Sequence, residues 1–271
     1  MKKLFIFLIC IVLLCGCGVN KPDVEENSSN LKNFISDEEA LDKAVSEFII
    51  ESNKGGYRSG ECYGEGHLVL GRDEENGETI VYLLTMYGEY GFTNDKFIKV
   101  SGSGVIPAVM KLESTDEGYK GKSIEYPDDG ANYTKSIKEM FPLKYHAQVL
   151  IIADSYYDEL KSQEESYAKA YLKEIGRDAE IAEYGDLNTK VLTSYGVPVE
   201  TSNMLINYPG LERYPFFVGK EEKIEDGVRY VYELSVDEQT KNITYKKYPY
   251  ESQDDIKEKF VFDQSGNIIE E

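Results

Sequence analysis

The sequence predicts an α+β fold: two helix-plus-antiparallel-meander units after a cleaved lipoprotein signal peptide. Three observations predict it. Residues Thr79–Tyr90 form a strand-length run with apolar or aromatic residues on both alternating faces, Ile80, Tyr82, Leu84 and Met86 on one and Val81, Leu83, Thr85 and Tyr87 on the other, so this strand is central and covered on both sides. Further strand-like runs cluster around turn pairs such as Asn76-Gly77 and Asp226-Gly227, which favour hairpins. Each cluster follows a helical apolar stripe, a helix-then-strands order that reads as α+β.

In chain order, Lys2 and Lys3 precede an apolar run, Leu4–Leu14, too short for an ordinary membrane span. Leu14-Cys15-Gly16-Cys17 follows. This resembles the bacterial lipobox, in which the last cysteine is lipidated before cleavage. Residues 1–16 are therefore expected to be removed, with Cys17 as the lipidated N-terminus holding the chain to a membrane. Residues 17–34 are rich in Asn, Ser, Glu and Lys and read as a flexible tether.

Residues 35–150 form the first expected unit. Ser36-Asp37-Glu38-Glu39 reads as a capping box opening a helix whose stripe is Leu41, Ala44, Val45, Phe48 and Ile49. A glycine-rich passage, Gly55–Gly66, leads to strands over His67–Leu70, Thr79–Tyr90, Phe97–Ser101, Ile106–Leu112 and Tyr119–Tyr126, with a turn at Asp116-Glu117-Gly118. Short helices over Thr134–Met140 and Leu143–Leu150 are divided by Pro142.

Residues 151–271 form the second unit. An Asp154 cap opens a helix with the stripe Tyr157, Leu160, Tyr167, Ala168, Tyr171, Leu172 and Ile175, and Gly176 stops it. A short strand is predicted within Asp178–Tyr184, and a helix capped by Thr201 or Ser202 runs to Asn207. Four strands follow, over Phe216–Lys223, Val228–Val236, Asn242–Tyr250 and Asp255–Phe262, then a turn at Asp263–Asn267.

Composition excludes some functions. The chain has 271 residues, 30 basic and 50 acidic, a net charge of −20. Removal of Lys2 and Lys3 leaves 28 basic residues against 50 acidic, or −22. Such a chain is repelled by phosphate backbones and anionic lipid heads, so nucleic acid is not a partner and membrane contact falls to the lipid on Cys17. With Cys10 and Cys15 removed and Cys17 lipidated, Cys62 is the only thiol left. An intramolecular disulfide is then ruled out, and a packed core must supply stability.

Few motifs suggest chemistry. Ser166-Tyr167-Ala168-Lys169 matches Ser-x-x-Lys, where one helical turn can bring lysine beside a nucleophilic serine. Ser265-Gly266-Asn267 matches Ser-x-Asn, yet no Lys-Thr-Gly follows. Glu61, Cys62, Glu65 and His67 bunch together, without a spaced Cys or His pair to complete a metal site. The Asp263 turn lacks the spacing of a calcium loop. No metal, cofactor or catalytic residue is predicted. The alternating Tyr230, Tyr232, Tyr245 and Tyr248 read as strand packing, among 22 tyrosines in a chain without tryptophan.

Several segments carry a resemblance. These are Glu65–Gly71, Val81–Tyr90 and Val100–Gly104; Asp129-Gly130 with Tyr133, Ile137-Lys138-Glu139 and Phe141-Pro142; and Tyr167-Ala168-Lys169, Tyr171-Leu172, Ile175-Gly176-Arg177 and Glu183–Asp186. Together the chain resembles an extracytoplasmic region of clostridial and related Firmicute proteins. Some of these are free lipoproteins; others carry the region C-terminal to membrane metallopeptidase receptors of the BlaR/MecR type. The peptidase signature His-Glu-x-x-His is absent, the histidines being His67 and His146. The resemblance implies no catalytic residue. It implies a non-enzymatic binding or sensory accessory module on the outer face of the cytoplasmic membrane, with a membrane receptor or a secreted protein as partner. The rival expectations are an inhibitor or immunity-type lipoprotein and an acyl-transfer enzyme built on Ser166 and Lys169.

Overall fold

The computed structural model describes residues 25–116, 118–208, 215 and 217–270, with backbone alone for residues 25–36. The expected signal segment at residues 1–16, the lipidation site Cys17, and Glu117 and Phe216 lie outside the described residues. The fold is α+β, with five α-helices and an 11-stranded sheet among the described residues.

Everything in the sheet is placed by one long strand. β1 spans Cys62–Glu75 and β2 spans Glu78–Thr93, joined by the turn Asn76-Gly77 with φ of 54° and 81°. Both central positions are left-handed, as a two-residue hairpin matching strand twist requires. β3 is Lys96–Gly102, β4 is Ile106–Thr115 and β5 is Gly118–Glu125. One edge of β2 pairs with β4 from Glu78 to Thr85 and then with β3 from Gly88 to Thr93. The opposite edge pairs with β1 from Glu78 to Tyr90. From Val81 to Thr93 every residue of β2 is buried, as the double-sided apolar pattern requires.

The two faces of β2 have separate covers. Helix α1 (Glu25–Asn53) lays Leu41, Val45 and Ile49 against Val81, Leu83, Ala108, Met110 and Leu112. On the other face, Tyr82, Leu84 and Met86 meet Ile137 of α2 (Tyr133–Met140), Val149 of α3 (His146–Leu150) and Leu160 of α4 (Tyr157–Glu174). Farther along α4, Ala168 and Leu172 pack on Tyr90, Phe92 and Phe97. So α4, grouped by the sequence with residues 151–271, packs on the first meander.

The second meander continues the same sheet. β6 is Ile181–Glu183, α5 is Val199–Ile206, β7 is Gly219–Glu225, β8 is Val228–Val236, β9 is Ile243–Pro249, β10 is Glu258–Phe262 and β11 is Ile268–Glu270. β7 to β11 pair in order, and β7 joins β2 through the pair Thr93–Glu221. Leu205 of α5, with Leu192 and Val197, covers Tyr232, Leu234, Ile243, Tyr245 and Phe262. Tyr232 and Tyr245 are thus core side chains, and Tyr248 donates to Glu233 at 2.9 Å.

Several expectations are corrected. The first helix is already formed at Glu25, so Ser36 is an interior position and residues 25–34, expected as tether, are helical. No glycine or proline interrupts that stretch, so the Ser-x-x-Glu pattern can sit inside a continuing helix. β1 starts at Cys62 rather than His67. Its glycines read as loop because their reason lies elsewhere: a Cβ on Gly66 would stand 2.1 Å from the Leu160 carbonyl oxygen, and one on Gly64 2.4 Å from that of Glu164. Bare backbone there lets α4 seat against β1. α5 starts after Pro198, which places Thr201 inside the helix, donating to the Gln264 carbonyl at 2.9 Å. β6 pairs with β3 in parallel, and β11 is an additional strand.

A Gly66→Ala variant should therefore lose about 2 kcal/mol or more of stability by urea unfolding, from overpacking under α4. Gly185→Ala, at a site with nothing within 4 Å, should change it by less than about 0.5 kcal/mol. Equal effects would show that the α4–β1 contact is not tight.

Candidate functional site

β1 and β7 share one edge of β2 and leave a gap between them. Glu61 donates its backbone N–H to the Tyr90 carbonyl at 2.6 Å, and the next pair on that edge is Thr93–Glu221. Gly91 and Phe92 lie between. A cleft of about 340 Å³ opens at this seam. Arg58, Ser59, Gly60 and Glu61 form one wall, Glu221, Glu222, Lys223 and Ile224 the other, with Gly91, Phe92, Thr93 and Val100 below.

Ion pairs tie the two walls together. Arg229 of β8 bonds Glu61 at 2.5 Å and Glu222 at 3.1 Å. Arg177 holds Glu222 through both terminal nitrogens, at 2.5 and 3.0 Å. The end of α4 aims Arg177 there. Gly176 turns left-handed at φ 67°, Gly176 N–H bonds the Lys173 carbonyl and Arg177 N–H the Leu172 carbonyl. That is a Schellman cap. The Arg177 guanidinium then lies 3.5 Å from the Phe92 ring centre and 4.4 Å from that of Tyr250, a cation–π sandwich. Arg58 bonds both oxygens of Glu221, at 3.0 and 2.9 Å, and Tyr171 donates to Glu61 at 3.0 Å. The carboxylates are nearly dry: Glu61 and Glu222 side chains are 5 % exposed. Burial opposes the charge on Arg229, but Glu61 and Glu222 together hold its pKa above the usual value.

The residues singled out in the sequence do not assemble into one centre. Directly opposed strand residues share a face. Cys62 opposes Tyr90 and packs under α4, whereas Glu65 and His67 oppose Tyr87 and Thr85 on the α1 face. Burial, with Glu61 and Glu89, pushes the Cys62 thiol up to about 12, so it is protonated at neutral pH and a poor ligand or nucleophile. His67 lies between two carboxylates, Nδ1 3.0 Å from Glu65 and Nε2 3.0 Å from Asp42 of α1. Among the described residues no group of three or more His, Cys, Asp or Glu is arranged to hold a metal ion. Ser166 is exposed and donates to the Gln163 carbonyl at 2.6 Å, while Lys169 reaches Glu165 at 3.4 Å. The structure does not bring the Ser166 hydroxyl and the Lys169 amine together. Ser265 and Asn267 form a turn around Asp263, whose Oδ1 accepts the backbone N–H of both.

Sequence reasoning missed the seam and one buried acid. Glu164 sits in the polar run Gln163-Glu164-Glu165-Ser166, yet its side chain is 1 % exposed. It accepts from Tyr90 at 2.7 Å and from Lys99 at 2.8 Å. Burial raises its pKa against the pull of Lys99 and Tyr90. The available signal was Gly88 inside an otherwise bulky strand, where a Cβ would lie 2.1 Å from a Glu164 oxygen. For the seam, the signal was Glu221 and Glu222 on one strand and Arg229 on the next, a pattern indistinguishable from a solvated surface until the strands are ordered.

No family model, curated protein or solved structure matches this chain.

Two outcomes follow from these charges. Arg229→Met strands Glu61 and weakens the hold on Glu222, so it should cost about 3 kcal/mol in urea unfolding; a loss below about 1 kcal/mol would mean the pairs are solvated. His67 has a raised pKa: burial opposes protonation, and Glu65 and Asp42 outweigh it. Its stabilising contribution is therefore complete below the unfolded value of about 6.5 and is lost as pH rises through the folded value. Urea midpoints between acid and alkaline pH should show wild type losing its advantage over His67→Gln as pH rises. An advantage that grows with pH would reverse the assignment.

Proposed function

We propose that this chain is an extracytoplasmic lipoprotein, anchored through Cys17 to the outer face of the cytoplasmic membrane, acting as a non-enzymatic binding or sensory accessory module. The observation that carries the binding part is the seam cleft. It has the volume of a small-molecule site, mixed apolar and charged walls, and sits where two stretches of sheet meet. Its charged lining side chains are Arg58, Lys223, Glu61, Glu221 and Glu222, with Arg58 paired to Glu221. The adjacent Cys62 thiol is protonated at neutral pH.

The anchoring part rests on the Lys2-Lys3 start, the short apolar run and the Leu14-Cys15-Gly16-Cys17 sequence. Among the described residues no helix is long and apolar enough to cross a membrane. With a net charge of −20, the surface gives no electrostatic help toward anionic lipid, which leaves the acyl chains as the attachment. The sensory part follows from the cleft's position. Arg177 and Arg229 hold Glu222 and Glu61 across the seam, so a ligand that redistributes those bonds changes how the two meanders are held. A membrane receptor or a secreted protein is the partner that would read such a change.

The test of anchoring is Cys17→Ala expressed in a bacterial host, with membrane fractionation and intact mass. The variant should lack the acyl mass and leave the membrane fraction once its signal segment is removed. A processed variant that stays membrane-bound would sink the lipid-anchor reading. Capture of the cleft's partner by in-cell crosslinking should depend on the residues at the seam; loss of enzymatic turnover on Ser166→Ala would instead establish the acyl-transfer alternative.

A further inference from the structure

We infer that the chain is built as two separately cored bodies, residues 37–187 and 190–270, hinged at the seam, with the arginine–carboxylate pairs as a latch that sets the width of the cleft. This rests on the reading of the chain as a sensory module and supplies its moving part. The cores come first. The three apolar clusters around β2 draw on residues between Leu41 and Ile181. The cluster of the second meander draws on residues between Leu192 and Ile268. None of the four takes side chains from both sets, so each body keeps its own apolar surface from water. The chain also passes between the bodies once. Glu183 ends β6, which pairs with β3, and Lys190 already bridges Val218 beside β7. Between them Asn188 takes a left-handed φ of 47°. One covalent crossing does not fix an orientation, so contacts across the joint must do so.

The sheet is continuous, yet this joint is narrow. β2 and β7 share the strand pair Thr93–Glu221. Beside it the Asn94 N–H donates to the Lys220 carbonyl at 3.0 Å, and Asn94 Oδ1 accepts the Lys220 N–H at 2.8 Å. On its other edge β7 pairs with β8 along its whole length, Gly219–Glu225. The second meander is therefore stitched far more firmly to itself than to β2.

Charge closes the joint. Arg58 and Arg177 reach from the first body to Glu221 and Glu222, and Arg229 reaches back from the second to Glu61. Arg177 also lies between Phe92 of the first body and Tyr250 of the second. An interface between domains permits motion unless it is large and apolar. Ion pairs regain water when they part, so opening this joint costs far less than opening either core. The walls of the cleft belong to different bodies, Arg58 to Glu61 to the first and Glu221 to Ile224 to the second. Turning one body on the other changes the cleft's width, and anything bound there biases the hinge.

The experiment uses the lipidated full chain in detergent and follows hydrogen exchange at single amides. The reporters are Asn94 and Lys220, whose N–H groups bond across the joint. The references are the buried Leu83 of β2 and Val231 of β8. Both reporters should exchange at least about tenfold faster than either reference. Arg177→Met should speed the reporters about tenfold further and leave the references unchanged. Arg177→Lys keeps a cation for Glu222 and should speed them less. Asn94→Gly suits the left-handed φ of 47° there, leaves every seam carboxylate paired, and should speed the position-94 amide. Reporters that exchange in step with both references, or that ignore these variants, would overturn the hinge. Spin labels then separate turning from fraying. In a Cys62→Ala chain, Lys135→Cys and Glu238→Cys put labels at exposed positions on different bodies. Arg177→Met should broaden their distance distribution, while the pair Lys135→Cys and Lys120→Cys, both on the first body, should keep its own. Fast reporters with an unchanged distribution between the bodies would mean local fraying and overturn the inference. Hinge motion in a chain that captures no partner keeps the hinge and removes the sensory reading; a captured partner with a rigid joint removes the hinge alone.

Discussion

The structure depends on the hydrogen-bonding demand of β2. A strand of 16 residues has two edges to satisfy, and a buried unpaired amide or carbonyl is expensive. Each edge takes two partners: β4 then β3 on one, β1 then β7 on the other. On the first edge the partners are consecutive in sequence. On the second they come from opposite ends of the chain, Cys62–Glu75 and Gly219–Glu225. Their imperfect abutment produces the seam, and the seam produces the cleft.

Buried charge is what closes that seam. Removing ions from water costs several kcal/mol apiece, which only close pairing and full hydrogen bonding offset. Glu61, Glu221 and Glu222 meet that demand with arginine partners, and Arg177 is also sandwiched between aromatic rings. In a strongly acidic chain such a gathering of cations is unusual. It makes the contact between the two meanders specific, since each arginine has one geometry that serves its carboxylates.

The same economy of close approach governs α4. Gly64, Gly66 and Gly88 remove side chains where the helix crosses the hairpin, and Glu164 uses the space to reach Tyr90 and Lys99. Its far end is stopped by Gly176, which delivers Arg177 to the seam. One helix thereby links the packing of the first meander to the charge network of the second. On the opposite face, Asp42 of α1 bonds His67, whose pKa is raised because Glu65 and Asp42 outweigh the burial that opposes its protonation, so a titratable group clasps that helix to the sheet.

Much of the fold was readable before any coordinates. The alternation of Ile80–Tyr87 located the central strand and its two covered faces, Asn76-Gly77 and Asp226-Gly227 located hairpins, and the stripes of α1 and α4 named most of their packed residues, though Tyr157 is exposed and the buried Glu164 was missed. These are local signals, set by side-chain period and by the φ values glycine and asparagine tolerate. The sequence by itself determined the α+β class, ten of the eleven described strands with ends displaced by up to five residues at β1, and the net charge of −20. It could not determine that β7 meets β2 at Thr93, that Glu164 is buried, or that Arg58, Arg177, Arg229 and three glutamates share a seam. Those facts join residues far apart in the sequence, 74 positions for Tyr90 and Glu164 and 163 for Arg58 and Glu221. A charged side chain has the same local pattern whether it faces water or a partner. Only the order of strands in the sheet decides which.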